Sequence, residues 1–406
     1  MTFAVHESIP GHQAGMSAKT GQALRVLHVY RTYFPDPPGG LQEAIRQIAL
    51  SCASLGVESR VFTLSPEPTP HAIRLPEARV VRSRSWGAPA SCDLGGPAAF
   101  LHFRRLTEWA DVVHFHFPWP FGDLLRRAGV RNRPSVMTYH SDIVRQRYFA
   151  KLYRPLMRHT LRAMDAVVAT SPTYVKTSPV LSSMVSPERL HVIPLGISDY
   201  AGLENDPAED AAILARLGVG GAADEPYFLA LGVLRYYKGL HSLIQAATLT
   251  GARIVIAGSG PEMERLTAFA QSRQVSNVTF LGQVSEREKI ALLRHARALV
   301  LASQLRSEAF GMVLVEAAMF SKPMICCEIG SGTSYINQHG VTGLVVPPES
   351  PADLAGAITR LHADAGLAAT MGNAARQRYE TLFSGPSLGR AYTELYQELA
   401  RQPHGR

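Results

Sequence analysis

Short apolar runs alternate with amphipathic stretches along almost the whole chain. Residues 24–30 (LRVLHVY) read as a first strand, followed by the Pro- and Gly-rich loop YFPDPPGG. Leu41, Ala44, Ile45, Ile48, Ala49 and Cys52 then recur at helical spacing, and Gly56 sits where a helix terminates. Residues 57–64 form the next strand. This strand–loop–helix–strand order predicts a parallel sheet covered by helices. It continues through strands at 111–115, 135–139, 166–170 and 191–194. The segment 196–226, rich in Gly, Asp, Ala and Pro, reads as a connection. A second series follows, with strands at 227–232, 253–258, 278–281, 298–301, 323–327 and 343–346. Beyond Ser384, Leu388, Tyr392, Leu395, Tyr396 and Leu399 mark a last amphipathic helix.

The predicted class is therefore α/β, with two Rossmann-like domains facing across a cleft at the carboxyl ends of their strands, where open sheets of this type bind ligands. The expected boundaries are a disordered extension at 1–23, a first domain at 24–197, a connecting segment at 198–225, a second domain at 226–383 and a terminal helix at 384–406 packing back on the first domain.

Composition agrees with two domains: 406 residues, 46% hydrophobic, exceed what a single core usually organises. Cys52, Cys92, Cys326 and Cys327 form no C-x-x-C pair and read as free thiols of a reducing compartment. No apolar stretch reaches the roughly 18 residues of a spanning helix, and the first twenty residues lack a signal-peptide core, so a soluble, cytoplasmic protein is expected. The net charge of +8 is uneven: residues 60–162 carry 17 Lys and Arg against 7 Asp and Glu. That bias fits an anionic partner, such as a membrane surface, a diphosphate or nucleic acid, or simply a solvated basic face.

The densest chemical signal is residues 307–323, SEAFGMVLVEAAMFSKP. Glu308 precedes a tight turn, and a helix is expected over 312–320. Free N–H groups at its start, around Phe310, Gly311 and Met312, suit phosphate or sugar oxygens. Glu316 lies a turn inside, among Val313, Leu314, Val315, Ala317 and Ala318, poor company for a solvated charge. Two carboxylates so placed can each read a sugar diol; the plainer reading is one cap and one surface residue. A second signal, LGVLRYYKGL at 231–240, sets Arg235 and Lys238 on a turn after a strand, where two cations can neutralise a departing diphosphate. Third, Gly39 and Gly40, and the Gly258–Ser259–Gly260 loop, allow close backbone approach to a phosphate or merely make turns. Fourth, His114 and His116 in VVHFHFP share one strand face. No Asp or Cys accompanies them, so no metal site is expected. His140 and Asp142 close another strand and are candidates for the acceptor side. Fifth, Arg147, Lys151, Arg154, Arg158 and Arg162 recur as one helical face, suited to anionic headgroups or to water, although Pro155 is expected to strain that helix.

The 308–316 segment resembles the E-x7-E motif of retaining glycosyltransferases of family 4, which have the GT-B fold, and the resemblance runs over nearly the whole chain from Leu24. It implies that Glu308 contacts the transferred sugar near the reaction centre and Glu316 the nucleoside ribose. It places the helix start, Gly39, Gly40 and the Gly258–Gly260 loop beside the donor, and His116 beside the transferred sugar. The lysine of the family's G-R-L-x-x-x-K-G motif is Lys238. Val233 stands where its arginine is expected and Arg235 follows two residues later, so the arginine role carries over less directly.

The family's chemistry implies displacement of a nucleoside diphosphate by an acceptor hydroxyl, with the leaving phosphate taking the proton; no metal or other cofactor is implied, and no D-x-D pair occurs. The phrases LRYYKGL and CEIGSGTSYIN…GVTGLVVPP resemble bacterial surface-polysaccharide enzymes that transfer mannose or D-rhamnose from GDP-sugars to lipid-diphosphate-linked O-antigen acceptors. The implied location is the inner face of the plasma membrane, with anionic lipid and no nucleic acid as partner. A UDP-sugar donor and a sugar-nucleotide epimerase of the same fold stay open as alternatives. A dinucleotide oxidoreductase would need G-x-G-x-x-G on the first turn, which YFPDPPGG is not.

Overall fold

The structure, a computed structural model, describes residues 23–36, 39–89, 92–130, 133–143, 147–203, 205–219 and 226–402, with only the backbone of 147–152. Residues 1–22 of the expected extension and the side chains of Arg147 and Lys151 lie outside that description. The chain divides into two compact units. One comprises residues 1–196 with 385–406; the other is 197–384.

The first unit is built on strands β1 (Leu24–Val29), β2 (Val57–Ser65), β3 (Ala72–Arg74), β4 (Arg79–Gly87), β5 (Leu94–Gly95), β6 (Val112–Phe117), β7 (Ser135–Tyr139), β8 (Ala166–Ala169) and β9 (Leu190–Val192). Their order is β3-β4-β2-β1-β6-β7-β8-β9, with β5 against β4; β3 and β5 pair antiparallel and the rest parallel. β6, β7 and β8 are buried throughout, as expected of parallel strands covered on both faces. One face carries Val26, Val112, Val136 and Val168 and packs on Leu388, Tyr392, Leu395 and Tyr396 of the terminal helix Gly385–Arg401. Gly389 makes that approach close: a Cβ there would sit 2.4 Å from the Ser51 carbonyl oxygen.

β3, β4 and β5 were not foreseen, because β4 alternates arginine and serine where a sheet strand is expected to be apolar. Arg82 is buried and held by Asp36 at 3.1 Å, Ser65 at 2.8 Å and the Glu67 carbonyl at 2.7 Å, so its charge is compensated inside the sheet edge. The helix Arg147–Ala163 contains Pro155 in its interior, as the sequence places it.

The second unit contains β10 (Tyr227–Leu231), β11 (Arg253–Ala257), β12 (Val278–Gly282), β13 (Ala298–Leu301), β14 (Met324–Cys327) and β15 (Gly343–Val346). They form an all-parallel sheet, β12-β11-β10-β13-β14-β15. The order reverses between β10 and β13, which opens a crevice at their carboxyl ends. Helix Pro207–Arg216, in the expected connecting segment, is pinned to this unit by fully buried Asp210, which accepts from Arg287 and Arg294 at 2.5 Å each. Burial alone would raise the Asp210 pKa; the two guanidinium groups outweigh it and lower the pKa.

The four cysteines are free, three of them buried; burial pushes the Cys52, Cys326 and Cys327 thiols up to about 12. Among the described residues, no helix is long and apolar enough to cross a membrane.

Candidate active site

At the β10/β13 reversal, two loops are held together by backbone contacts that dictate their residues. The chain leaves β10 through Gly232–Leu234, enters a single 3-10 turn at Tyr236–Lys238 and bends at Gly239 with φ +64°. A Cβ on Gly239 would lie 2.0 Å from the Ala302 carbonyl oxygen. Only glycine allows that approach, which presses the lysine turn against the loop after β13. The N–H of Gln304 donates to the Tyr237 carbonyl at 2.9 Å and closes the seam.

The result is an ion pair. Lys238 Nζ lies 2.5 Å from Glu308 Oε2, each side chain about one-seventh exposed (14% and 13%), and Ser303 Oγ donates to the same oxygen at 3.2 Å. A crevice beside it is lined by Gly232, Val233, Leu234, Lys238, Leu301 and Ala302. Arg235 is exposed and has no ion pair among the described residues. Val233 is also exposed. The predicted cation pair is thus split, with the lysine locked to the first glutamate and the arginine free at the rim.

Glu308 leads into a turn at Gly311, φ +97°, from which helix Met312–Met319 starts. Among the described residues, the N–H groups of Gly311, Met312 and Val313 have no backbone acceptor, so the helix start offers donors in a field of partial positive charge. Phe310 is buried, its ring edge-on to Phe383. Glu316 emerges one turn on from an otherwise apolar helix. It is held by the Tyr200 hydroxyl at 2.7 Å and Lys289 Nζ at 2.9 Å, both on Oε1. Burial works against the Lys289 charge, but Glu316 and Glu286 outweigh it and raise its pKa. Neither partner was singled out from the sequence: Lys289 sits 27 positions from Glu316 on a helix whose i,i+3 pairing with Glu286 looks like a solvated face.

Gly258 and Gly260 pack against the neighbouring loop. A Cβ on Gly258 would meet the Gly232 carbonyl oxygen at 2.1 Å, and one on Gly260 the Leu234 carbonyl oxygen at 2.5 Å. Ser259 points elsewhere, donating to Gln283 at 3.0 Å. These residues therefore brace the lysine loop.

In the first unit, Gly39 caps helix Gly40–Ala53 with extended backbone, and both glycines are exposed. The predicted histidines occupy a different environment. His116 is buried, with Nε2 3.2 Å from His28 Nδ1 and Nδ1 3.1 Å from His140 Nε2. His114 is tied to Tyr396 and Thr138 at 2.7 Å each, and Thr138 in turn to Tyr392 at 2.8 Å. Burial lowers all four imidazoles, His28 and His140 to about 3. His28 was not anticipated, although the β1–β6 register sets it directly beside His114. With it, three imidazoles bring a nitrogen within 4.8 Å of one another, and no Asp or Cys joins that group among the described residues. The ring nitrogens of His114 and His116 are already spent on hydrogen bonds, and the cluster reads as a polar network. Asp142 Oδ1 accepts from Tyr139 at 2.9 Å and Ser178 at 2.7 Å, which anchors the loop after β7. Arg154, Arg158 and Arg162 are exposed and line one groove with Pro155 and His159.

Residues 38–199 match the family described as Glycosyltransferase Family 4, and residues 219–378 match Glycosyl transferases group 1. The chain is 45% identical over 361 residues to D-rhamnosyltransferase WbpZ of Pseudomonas aeruginosa, covering 89% of this chain and 92% of that one. It is 38% identical over 378 residues to O-antigen chain mannosyltransferase C of Escherichia coli, covering 93% and 99%. Its fold is similar to that of Anabaena Alr3699/HepE in complex with UDP-glucose, with a TM-score of 0.74 at 18% identity, covering 92% and 100%.

Proposed function

Given that the chain belongs to the glycosyltransferases of family 4 and group 1, with two Rossmann-like domains of the GT-B type, we propose that it moves mannose or D-rhamnose from a GDP-sugar onto a lipid-diphosphate-linked saccharide in O-antigen assembly, with retention at the anomeric carbon. The observation that carries this reading is the Lys238–Glu308 pair beside a helix start with free N–H donors. Charge grows on the leaving diphosphate as the glycosidic bond stretches, and a pre-set cation and helix start stabilise it without reorganisation. Lys238, Arg235 and the Gly311–Met312 backbone take the diphosphate. Glu308, already balanced by Lys238, faces the sugar near the reaction centre. Glu316 binds the ribose diol, its orientation set by Tyr200 and Lys289. Gly39 and Gly40 are assigned to the donor phosphates by the resemblance. The resemblance assigns His116 to the transferred sugar, and His140 and Asp142 take the acceptor side. The acceptor hydroxyl adds to the anomeric carbon on the face the diphosphate leaves, and its proton passes to the departing phosphate oxygen.

The relatives named as a D-rhamnosyltransferase and an O-antigen chain mannosyltransferase support the choice of sugar. A thermal-shift panel of GDP-mannose, GDP-D-rhamnose, UDP-glucose and ADP-glucose tests the donor. A ligand that binds only the folded state raises Tm, about 2.7 kcal/mol at a hundredfold excess over Kd. Stabilisation by UDP-glucose alone would transfer the assignment to a UDP-sugar enzyme. Labelled donor converted without acceptor would point to an epimerase.

The exposed Arg154, Arg158 and Arg162 face supports a peripheral position on anionic lipid at the inner membrane surface, each charge contributing about 1 kcal/mol. Replacing the three with glutamine should abolish flotation with phosphatidylglycerol vesicles; unchanged flotation rejects that surface.

A further inference from the structure

The imidazole that the family resemblance assigns to the sugar has no nitrogen left to offer. His116 is 2% exposed, and both of its nitrogens are committed inside the sheet, one to His28 and one to His140. His140 uses only Nε2 in this chain, and its Nδ1 has no hydrogen-bond partner among the described residues. It stands one residue beyond the carboxyl end of β7, where ligands of open sheets bind.

We propose that His140 presents the substrate-facing nitrogen of this cluster, and that His28 and His116 are positioning residues that decide whether that nitrogen donates or accepts. The inference rests on the transferase reading above and revises the place of His116 within it.

The argument is one of hydrogen-bond parity. A neutral imidazole carries one N–H and one lone pair. His116, bonded on both sides, must donate through one nitrogen and accept through the other. If His116 donates to His140 from Nδ1, then His28 donates to His116 from its own Nδ1, and the outer Nδ1 of His140 keeps its hydrogen. If the chain runs the other way, all three protons sit on Nε2 and the outer nitrogen of His140 is an acceptor. The three rings therefore share one tautomer, which couples the state of His28 to that of the outer nitrogen of His140.

The surroundings keep the rings neutral. The groups packed around them are His114, tilted against His28 and His116, and Tyr30, edge-on to His116, with Tyr392 and Tyr396 from the terminal helix reaching His114. No carboxylate hydrogen-bonds to any of the four histidines among the described residues. Burial depresses His28 and His140 to about 3 and His114 and His116 well below the usual imidazole value, so parity holds across the working pH range.

The test uses the full chain labelled with nitrogen-15 histidine. Nuclear magnetic resonance should report one shared tautomer for His28, His116 and His140, unchanged between about pH 5.5 and 8. In His28→Leu, His116 and His140 should become tautomeric mixtures, and kcat should fall about tenfold with donor KM near wild type, the size of one lost hydrogen bond. His28→Gln, which keeps a hydrogen-bonding group and the packing, should recover part of that loss. His140→Ala should lower kcat at least as far. Unlike tautomers within the wild-type trio, titration of His116 near the ordinary imidazole value, or unchanged kcat in His140→Ala overturns the inference. Stoichiometric Co2+ binding with visible ligand-field bands that vanish in His28→Leu would show a metal site instead and also overturns it. The tautomer measurement needs no substrate, so it stands or falls separately from the donor assignment.

Discussion

The two sheets end in opposite electrostatic solutions. At the carboxyl end of β10 and β13, charge is kept and paired: Lys238 against Glu308, Lys289 against Glu316, with a helix start adding N–H donors. In the first sheet, along β1 and β6 and just beyond β7, four imidazoles are buried and neutral, tied into hydrogen bonds. The difference follows from exposure. The glutamate–lysine pairs retain about one-seventh of their surface, so water and a charged ligand can reach them, whereas the histidines have almost none and can persist only uncharged. A pre-ionised site suits a diphosphate. A neutral network suits hydroxyl recognition, where the direction of a hydrogen bond matters more than net charge.

That contrast can be broken from the charged side first. Glu308→Gln keeps shape and removes charge, and should lower turnover about 10²–10³-fold; a steady-state transfer assay at near-normal rate would refute its assigned role. Lys238→Ala should weaken binding of the nucleoside diphosphate by about 10–100-fold, the range for a charge-assisted hydrogen bond. Isothermal calorimetry with GDP measures this directly, and an unchanged Kd would mean that Lys238 merely balances Glu308.

A separate buried neutral group of the first unit is Asp123, 2% exposed and hydrogen-bonded to the Tyr153 hydroxyl; burial pushes the Asp123 carboxyl up to about 8. Unfolded, the group ionises near about pH 3.9. Between those values the folded state binds more protons, so this residue makes stability fall as pH rises from about 4 to about 8. Asp123→Asn should flatten that decline and narrow the Tm difference between pH 5 and pH 8 by about a few degrees. An identical pH slope in wild type and variant would mean that Asp123 ionises normally.

Much of this organisation was legible in the chain. Buried parallel strands announce themselves as apolar runs, and the two Rossmann-like series could be read off in order. Strand β4 escaped because its buried Arg82 is held by Asp36 and Ser65, partners 46 and 17 positions away. Glu308, Glu316 and Lys238 stood out by motif, but Tyr200, Lys289 and Ser303 carried no local signal. His28 lay in plain view within LRVLHVY and still looked like one polar residue in a strand.

What the sequence alone determined is local: strand and helix periodicity, the glycines that permit turns at 239 and 311, and the presence of two carboxylates and a lysine in recognisable spacing. Tertiary structure decided the pairings. It joined Lys238 to Glu308 across 70 residues by seating Gly239 on the Ala302 carbonyl, and it lined up His28, His116 and His140 by strand register. The physical reason is range. Periodicity and turn chemistry act within a few residues, whereas the charge state of a side chain is set by whichever groups the fold brings within a few ångströms and by how much water it leaves there.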